Sequence, residues 1–206
     1  MKEVLIIEQI GGNIGSIYKT LSRLKINVRC SSEAKEILQA ERIIMPGVGH
    51  FGNAIQRINT LHFKEQLQEA VLIRKTPILG ICLGIQMFCN FSEEGNVKGL
   101  EWIDAEVKRF NFSDTFHHKI PHIGWNTIEP LQKDHPLFYG VDTSEYFYFV
   151  HSYYVQCNYP QNCLAETEYE HKFASVIQKE NIFGVQFHPE KSYESGEKLL
   201  MNFINF

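Results

Sequence analysis

The sequence contains no long uninterrupted hydrophobic stretch. Its apolar runs stay short of the roughly 20 residues that a membrane-spanning helix needs. The first residues, "MKEVLIIEQIGGN", hold one lysine and a short apolar run broken by Glu8, and they lack the cleavage site of a signal peptide. We therefore expect no membrane contact and a cytoplasmic location.

Cysteine and positive charge are also scarce. The 206 residues include five cysteines, an odd number, and none of them forms a C-x-x-C pair, which argues against a disulfide scaffold and for a reducing compartment. Lysine and arginine number 20 against 24 acidic residues, and the net charge of -4 gives no reason to expect nucleic acid. A small-molecule substrate or a protein partner fits better.

Repeats, low-complexity segments and flexible linkers are absent as well, so we expect one domain over residues 1–206. Buried strands such as "EVLIIE", "RIIM" and "TPILGI" alternate with helical patterns, which predicts an α/β fold with three layers and a mostly parallel central sheet. Between about residues 106 and 177, short segments such as "HIGWNTIE" and "YFYFVHSYYV" indicate antiparallel strands added to the same domain. A strand, "IFGVQF", and a helix close the chain.

The stretch "LGICLGIQ" places Cys82 between two glycines at the turn from a buried strand into a helix. Such a turn pushes the central side chain out of the sheet, as in the elbows that carry a nucleophilic serine. The following helix N-terminus favours a thiolate and offers N–H groups to an oxyanion. From this stretch alone, a buried structural cysteine is an equally good interpretation.

The stretch "GVQFHPEKS" places His188 and Glu190 just after another buried strand, where catalytic residues collect in open α/β sheets. His188 could take a thiol proton while Glu190 orients the imidazole. By itself a capped histidine beside a solvated glutamate is at least as common. The loop "PGVG", residues 46–49, should open at the same sheet edge and could offer backbone N–H groups, although a simple tight turn is the favoured interpretation of that motif alone.

Taken together, "GICLGIQ", "PGVG" and "GVQFHPEKS" resemble the class I (triad) glutamine amidotransferases over nearly the whole chain. More narrowly, "IMPGVGHFGNAI", "SEEG", "IPHIGWN", "HPLFYGV" and "YFYFVHSYY" resemble the glutaminase subunits of imidazole glycerol phosphate synthases, which serve histidine biosynthesis. The resemblance implies that L-glutamine is hydrolysed to glutamate and ammonia through a thioester on Cys82, with His188 as base and then acid and Glu190 orienting it. It implies no metal and no cofactor.

The same resemblance implies further site residues. The oxyanion donors would be the backbone N–H groups of Leu83 and of Val48 or Gly49. Glutamine would be held near Gln86, His151, Ser152 and Tyr153, although a strand end rich in tyrosine is usually core packing. A cysteine peptidase of related fold would carry histidine directly after Cys82, where this chain has Leu83.

The partner implied by the resemblance is a barrel-shaped synthase (cyclase) subunit that forms a heterodimer and receives the ammonia. Residues expected at that interface are Asn13, Trp125, Tyr148 and Lys191, although a tryptophan is more often buried. The loop "EQIGGN" departs from the family's D-Y-G-x-G-N. This departure keeps one alternative open, a paralogous glutaminase for a sugar-amidation enzyme. A separate alternative is an inactive docking subunit, although intact Cys82, His188 and Glu190 argue against it.

Overall fold

The computed structural model describes residues 3–8, 10–60, 63–113 and 116–206. Gln9 of the "EQIGGN" loop, Met1 and Lys2 of the first apolar segment, and residues 61–62 of the central helical pattern lie outside the described residues. Five α-helices occur in the described part of the chain: α1 Ile14–Arg23, α2 Phe51–Thr60, α3 Phe63–Gln68, α4 Leu83–Met87 and α5 Tyr193–Asn205.

Fourteen strands occur in the same described ranges. They are β1 Glu3–Ile7, β2 Asn27–Ser31, β3 Arg42–Gly47, β4 Ile78–Cys82, β5 Phe91–Ser92, β6 Val97–Lys98, β7 Ala105–Arg109, β8 His122–Asn126, β9 Glu129–Pro130, β10 Phe147–His151, β11 Tyr153–Cys157, β12 Cys163–Tyr169, β13 His171–Lys179 and β14 Ile182–Val185. Short helical turns cover Ala34–Gln39, Glu69–Ile73, Pro136–Phe138, Pro160–Asn162 and Pro189–Lys191.

The large sheet has a parallel half and an antiparallel half. Its order is β2-β1-β3-β4-β14-β13-β11-β7-β5-β6, with β12 paired to β13 and β9 paired to β12. The first five strands in this order run parallel, so their carboxyl ends share one edge. The predicted α/β fold, with a mostly parallel central sheet and added antiparallel strands, is confirmed.

The sheet is buried on both faces because its parallel strands alternate apolar side chains between two cores. In β1, Leu5 and Ile7 join the core beneath α2, α3 and α4, whereas Val4 and Ile6 join the core beneath α1 and α5. The helices therefore cover both faces of the sheet, as the predicted three layers require. Within the described residues, no helix is both long enough and apolar enough to cross a bilayer.

One local feature differs from the sequence predictions. The segment "YFYFVHSYYV" does not form one run, because β10 pairs with β8 in a separate two-stranded sheet while β11 joins the large sheet. The helical spacing of Ile55, Ile58, Leu67 and Val71 falls on α2, α3 and the helical turn Glu69–Ile73.

Candidate active site

Cys82 is the last residue of β4 and immediately precedes α4, at the carboxyl edge of the parallel strands. Its backbone has φ 56° and ψ -107°, a combination that residues other than glycine rarely adopt. The sequence suggested that the flanking glycines would permit the strained bend, but the strain lies on Cys82 itself. Gly84 instead provides room, because a Cβ there would overlap the Met45 carbonyl oxygen of β3. The elbow thus depends on close packing between α4 and the sheet.

The Cys82 side chain is 7% exposed, and its sulfur has three polar neighbours. The sulfur lies 3.8 Å from the Val150 carbonyl oxygen and 3.8 Å from Nε2 of Gln186. His188 is the third neighbour, and it contributes to the electrostatics described next. The thiol therefore faces an acceptor, a donor and an imidazole.

His188 and Glu190 form a buried pair directly after β14. Nδ1 of His188 lies 2.9 Å from Oε1 of Glu190, with side-chain exposures of 3% and 0%. The backbone N–H of His188 donates to the Tyr148 carbonyl oxygen at 2.8 Å, and this hydrogen bond connects the loop to β10. Because the carboxylate accepts from Nδ1, the other ring nitrogen, Nε2, is left for the Cys82 side.

The electrostatics of His188 favour the imidazolium. Burial by itself lowers the pKa of His188, but the Cys82 side chain and the Glu190 carboxylate outweigh it and raise the pKa to about 9. Nε2 of His188 has no partner within hydrogen-bonding geometry, but the Cys82 sulfur, once it is a thiolate, and the Glu190 carboxylate both favour the protonated ring. This arrangement lets the imidazole receive a proton from the sulfur.

Asn13 lies behind this pair rather than only on the outer surface. Its Nδ2 donates to Oε1 of Glu190 at 3.4 Å, and its own Oδ1 accepts from the Ser16 hydroxyl at 2.9 Å. Oε2 of Glu190 is buried without a hydrogen-bond partner. A residue predicted for the partner interface therefore also contacts the carboxylate of the candidate triad.

A cavity of about 280 Å³ opens in front of Cys82. All three predicted oxyanion residues line this cavity, and so does every residue predicted for catalysis or glutamine binding except Glu190. Glu190 lies behind His188. The lining consists of Val48, Gly49, Cys82, Leu83, Gln86, Glu94, Pro121, Val150, His151, Ser152, Tyr153 and His188. Among the described residues, no group of three or more His, Cys, Asp or Glu is placed to hold a metal ion.

The oxyanion candidates lie beside the elbow because β3 and β4 are paired in register. Gly47 is opposite Cys82, so the chain that continues through Val48 and Gly49 passes over the start of α4. Gly49 has φ +98°, a conformation that glycine adopts without strain. The loop and the elbow therefore lie side by side at the cavity.

His151 reaches the cavity wall with both ring nitrogens already engaged. Nδ1 lies 2.8 Å from the Tyr153 carbonyl oxygen, and Nε2 lies 3.1 Å from Nδ1 of His122. Since a carbonyl only accepts, His151 carries its proton on Nδ1 and accepts from His122. Burial, then the neighbouring His122, lower the pKa of His151 to about 3, so it is neutral at ordinary pH. His151 therefore shapes the cavity but has no ring nitrogen left for a ligand.

Glu94 is a cavity residue that the sequence prediction did not single out. Its Oε2 accepts the Phe51 N–H at 2.7 Å, at the start of α2, and its side chain also borders the cavity. An acidic group at this position is suited to an ammonium group of a ligand. The motif "SEEG" contains this residue, but a sequence motif in a loop does not reveal which of its two glutamates faces inward.

Trp125, Tyr148 and Lys191 lie together, and Tyr193 joins them; we call these four residues the aromatic surface. The Trp125 and Tyr193 rings stack at 5.1 Å with an interplanar angle of 9°. Nζ of Lys191 lies 5.0 Å from the centre of the Tyr148 ring. Trp125 is 42% and Tyr193 73% exposed. This exposed cluster adjoins the loop that carries His188.

Sequence comparison agrees with this fold. The family model for the glutamine amidotransferase class-I domain matches residues 5–206. The chain belongs to the class-I glutamine amidotransferase family. The imidazole glycerol phosphate synthase subunit HisH 2 of Methanococcus maripaludis is 42% identical, with 98% of each chain covered. Subunit HisH 1 of Campylobacter jejuni is 43% identical, again with 98% of both chains covered.

Solved structures support the fold at much lower sequence identity. A crystal structure of a glutamine amidotransferase has a TM-score of 0.75 at 14% identity and covers 98% of this chain and 97% of its own. A glutamine amidotransferase from Thermotoga maritima has a TM-score of 0.66 at 17% identity, covering 99% of this chain and 83% of its own. These two structures show the shared architecture.

Proposed function

We propose that this chain is the glutaminase subunit of an imidazole glycerol phosphate synthase and acts in histidine biosynthesis. The observation that carries the proposal is that Cys82 and His188 line one cavity while Glu190 holds His188 from behind. The names of the full-length relatives supply the pathway. Residues 1–206 would act as one glutamine amidotransferase domain.

In the proposed reaction, the Cys82 sulfur attacks the side-chain amide carbon of glutamine and its proton passes to Nε2 of His188. The oxygen of the tetrahedral intermediate receives N–H groups from Leu83 and from Val48 or Gly49. As the carbon–nitrogen bond breaks, His188 returns the proton to the departing ammonia. Water then attacks the thioester with His188 as base, which releases glutamate and restores the thiol.

Substrate recognition would use the polar groups that the cavity leaves available. Glu94 would accept from the α-ammonium group of glutamine, and Ser152 and Tyr153 also line the cavity. Gln86 would contribute its side-chain oxygen, Oε1, because both hydrogens on its Nε2 already form hydrogen bonds to protein acceptors. No cofactor takes part in this scheme.

The ammonia would pass to a barrel-shaped cyclase subunit that binds this chain as a heterodimer in the cytoplasm. We assign the partner contact to Asn13 and to the aromatic surface, since these groups adjoin the catalytic loop. The sugar-amidation alternative is not favoured, because the full-length relatives reported above are imidazole glycerol phosphate synthase subunits.

A labelling experiment tests the proposed nucleophile. A diazoketone analogue of glutamine, incubated with the complex of this chain and its cyclase, should modify Cys82 and spare the other cysteines, which lie away from the cavity lining: Cys30, Cys89, Cys157 and Cys163. Cys82→Ala should abolish both labelling and glutamine hydrolysis without loss of the fold. Peptide mass spectrometry that finds the label on another cysteine would refute the assignment.

A further inference from the structure

Two buried side-chain amides connect the cavity wall to the sulfur of Cys82. Nε2 of Gln86 lies 2.9 Å from the Tyr153 carbonyl oxygen and 3.0 Å from Oε1 of Gln186. Nε2 of Gln186 in turn lies 3.8 Å from the sulfur. Gln186 is fully buried, at 0% exposure, just beyond the end of β14. A continuous path of hydrogen bonds therefore ends on the nucleophile.

The direction of these hydrogen bonds is fixed by the backbone. The Tyr153 carbonyl only accepts, so the NH₂ group of Gln86 must face it. The second hydrogen of the same NH₂ group points to Gln186, which must therefore present its carbonyl oxygen. The NH₂ group of Gln186 is then left to face Cys82. This orientation follows from donors and acceptors alone and needs no assumption about either amide.

The sulfur needs such a donor because its backbone neighbour, the Val150 carbonyl, is an acceptor. The Val150 carbonyl oxygen, 3.8 Å away, accepts from the thiol and so favours the protonated sulfur. Once the proton has left, that carbonyl offers nothing to the negative charge. An N–H group from Gln186 does, and hydrogen bonds to charged acceptors are about twice as strong as neutral ones.

We propose that Gln186 is a further catalytic residue, which donates a hydrogen bond to the Cys82 thiolate and, through Gln86, couples the filling of the cavity to the charge on the sulfur. A ligand that donates to the Gln86 carbonyl polarises that amide, which strengthens the next hydrogen bond in line. The coupling to substrate rests on the proposed function. The hydrogen bond to sulfur does not.

The test compares Gln186→Met with Ser175→Ala. Met keeps the length of the side chain but removes the donor. Ser175→Ala removes another fully buried polar group, whose hydroxyl donates to the Ala165 carbonyl at 3.2 Å and does not border the cavity. The rate of alkylation of Cys82 by iodoacetamide is followed by peptide mass spectrometry across neutral and alkaline pH.

We expect Gln186→Met to slow alkylation of Cys82 about tenfold near neutral pH, with the difference shrinking at alkaline pH. Ser175→Ala should follow the wild-type profile. In the complex with the cyclase, Gln186→Met should lower kcat for glutamine by a larger factor than it raises KM, because Gln186 contacts the sulfur and does not itself line the cavity. A merely structural role would slow alkylation equally at every pH, and either that result or a wild-type profile overturns the proposal.

A second measurement applies if Gln186→Met does not fold. In the ¹⁵N-labelled wild-type protein, the side-chain amide protons of Gln186 should titrate with the same midpoint as the alkylation rate. A resonance that stays constant across that midpoint overturns the proposal. Both readouts work without substrate, so a wild-type complex that fails to hydrolyse glutamine would refute the proposed function while leaving the hydrogen bond independently decided.

Discussion

The position of Cys82 at the elbow requires a strained backbone conformation. A non-glycine residue at φ 56° and ψ -107° costs about 1–3 kcal/mol and persists only where the surroundings enforce it. Here the close packing of α4 against β3 enforces it, and the bend brings the sulfur to the Val150 carbonyl and the Gln186 amide. Sequence reasoning found the three candidate catalytic residues from their motifs, but it could not reveal Gln186 or Glu94, whose roles depend on where their neighbours lie.

The His188–Glu190 contact leads to a prediction about titration. The pKa of His188 is raised above its usual 6.5 to about 9. We expect Glu190→Gln to lower it by about 1 unit or more, since the carboxylate is lost. Proton NMR of the imidazole ring measures both values, with His135 as an internal control remote from the pair. An unchanged His188 midpoint in Glu190→Gln would contradict this account of the pair.

The same shift predicts how stability depends on pH. A folded-state pKa above the unfolded value means that His188 contributes stability below about pH 6.5 and loses it as the pH rises through about 9. The difference in free energy of unfolding between wild type and His188→Asn should therefore shrink toward alkaline pH. Urea denaturation at several pH values measures this difference, and a gap that widens above pH 9 would be inconsistent with the raised pKa.

At the scale of elements, the elbow depends on how tightly α4 crosses the sheet. A Cβ on Gly84 would overlap a backbone carbonyl of β3, whereas a Cβ on Gly15, an exposed residue of α1, meets nothing within 4 Å. Gly84→Ala should therefore destabilise the fold by about 1–3 kcal/mol. Gly15→Ala should be neutral or stabilise it by up to about 1 kcal/mol. Urea denaturation measures the free energy of unfolding of both variants. Equal changes would mean that α4 can shift away from β3 to accommodate the added Cβ.

The sequence predicted the parallel βα units well because continuous apolar runs and helical spacing are local signals. It could not show that β10 and β11 belong to different sheets. Phe147, Phe149 and His151 are buried in β10, and Val155 continues the same alternation in β11. Tyr153, between these positions, is only partly buried. Because apolar and aromatic residues continue through both strands, only the pairing of β10 with β8 and of β11 with β7 reveals the change of sheet.

At the scale of the whole molecule, loops from separate strands meet at one sheet edge. The loop after β1 reaches Glu190 through Asn13, and the loop after β3 adjoins the elbow. The aromatic surface is linked to His188 by the hydrogen bond to the Tyr148 carbonyl. A partner bound there would thus contact residues that form hydrogen bonds directly to His188 or Glu190.

This arrangement predicts which surface residues matter for the partner. Trp125→Ala and Tyr193→Ala should each weaken binding of the cyclase about tenfold or more, as large exposed aromatics do at interface centres. Tyr159→Ala removes another exposed tyrosine, 52% accessible and outside the aromatic surface, and should leave the affinity unchanged. Isothermal titration calorimetry measures the three dissociation constants. Equal affinities for all three variants would place the interface elsewhere.

The most direct test measures imidazole glycerol phosphate synthesis by the reconstituted complex of this chain with a cyclase subunit of the histidine pathway. Two nitrogen sources are compared, glutamine and added ammonium, for the wild type and for Cys82→Ala. We predict that the wild-type complex uses both sources and that Cys82→Ala uses only ammonium, because the cyclase remains intact while the thioester cannot form. Glutamine-dependent synthesis by the Cys82→Ala complex, or none by the wild-type complex, would contradict the proposed function.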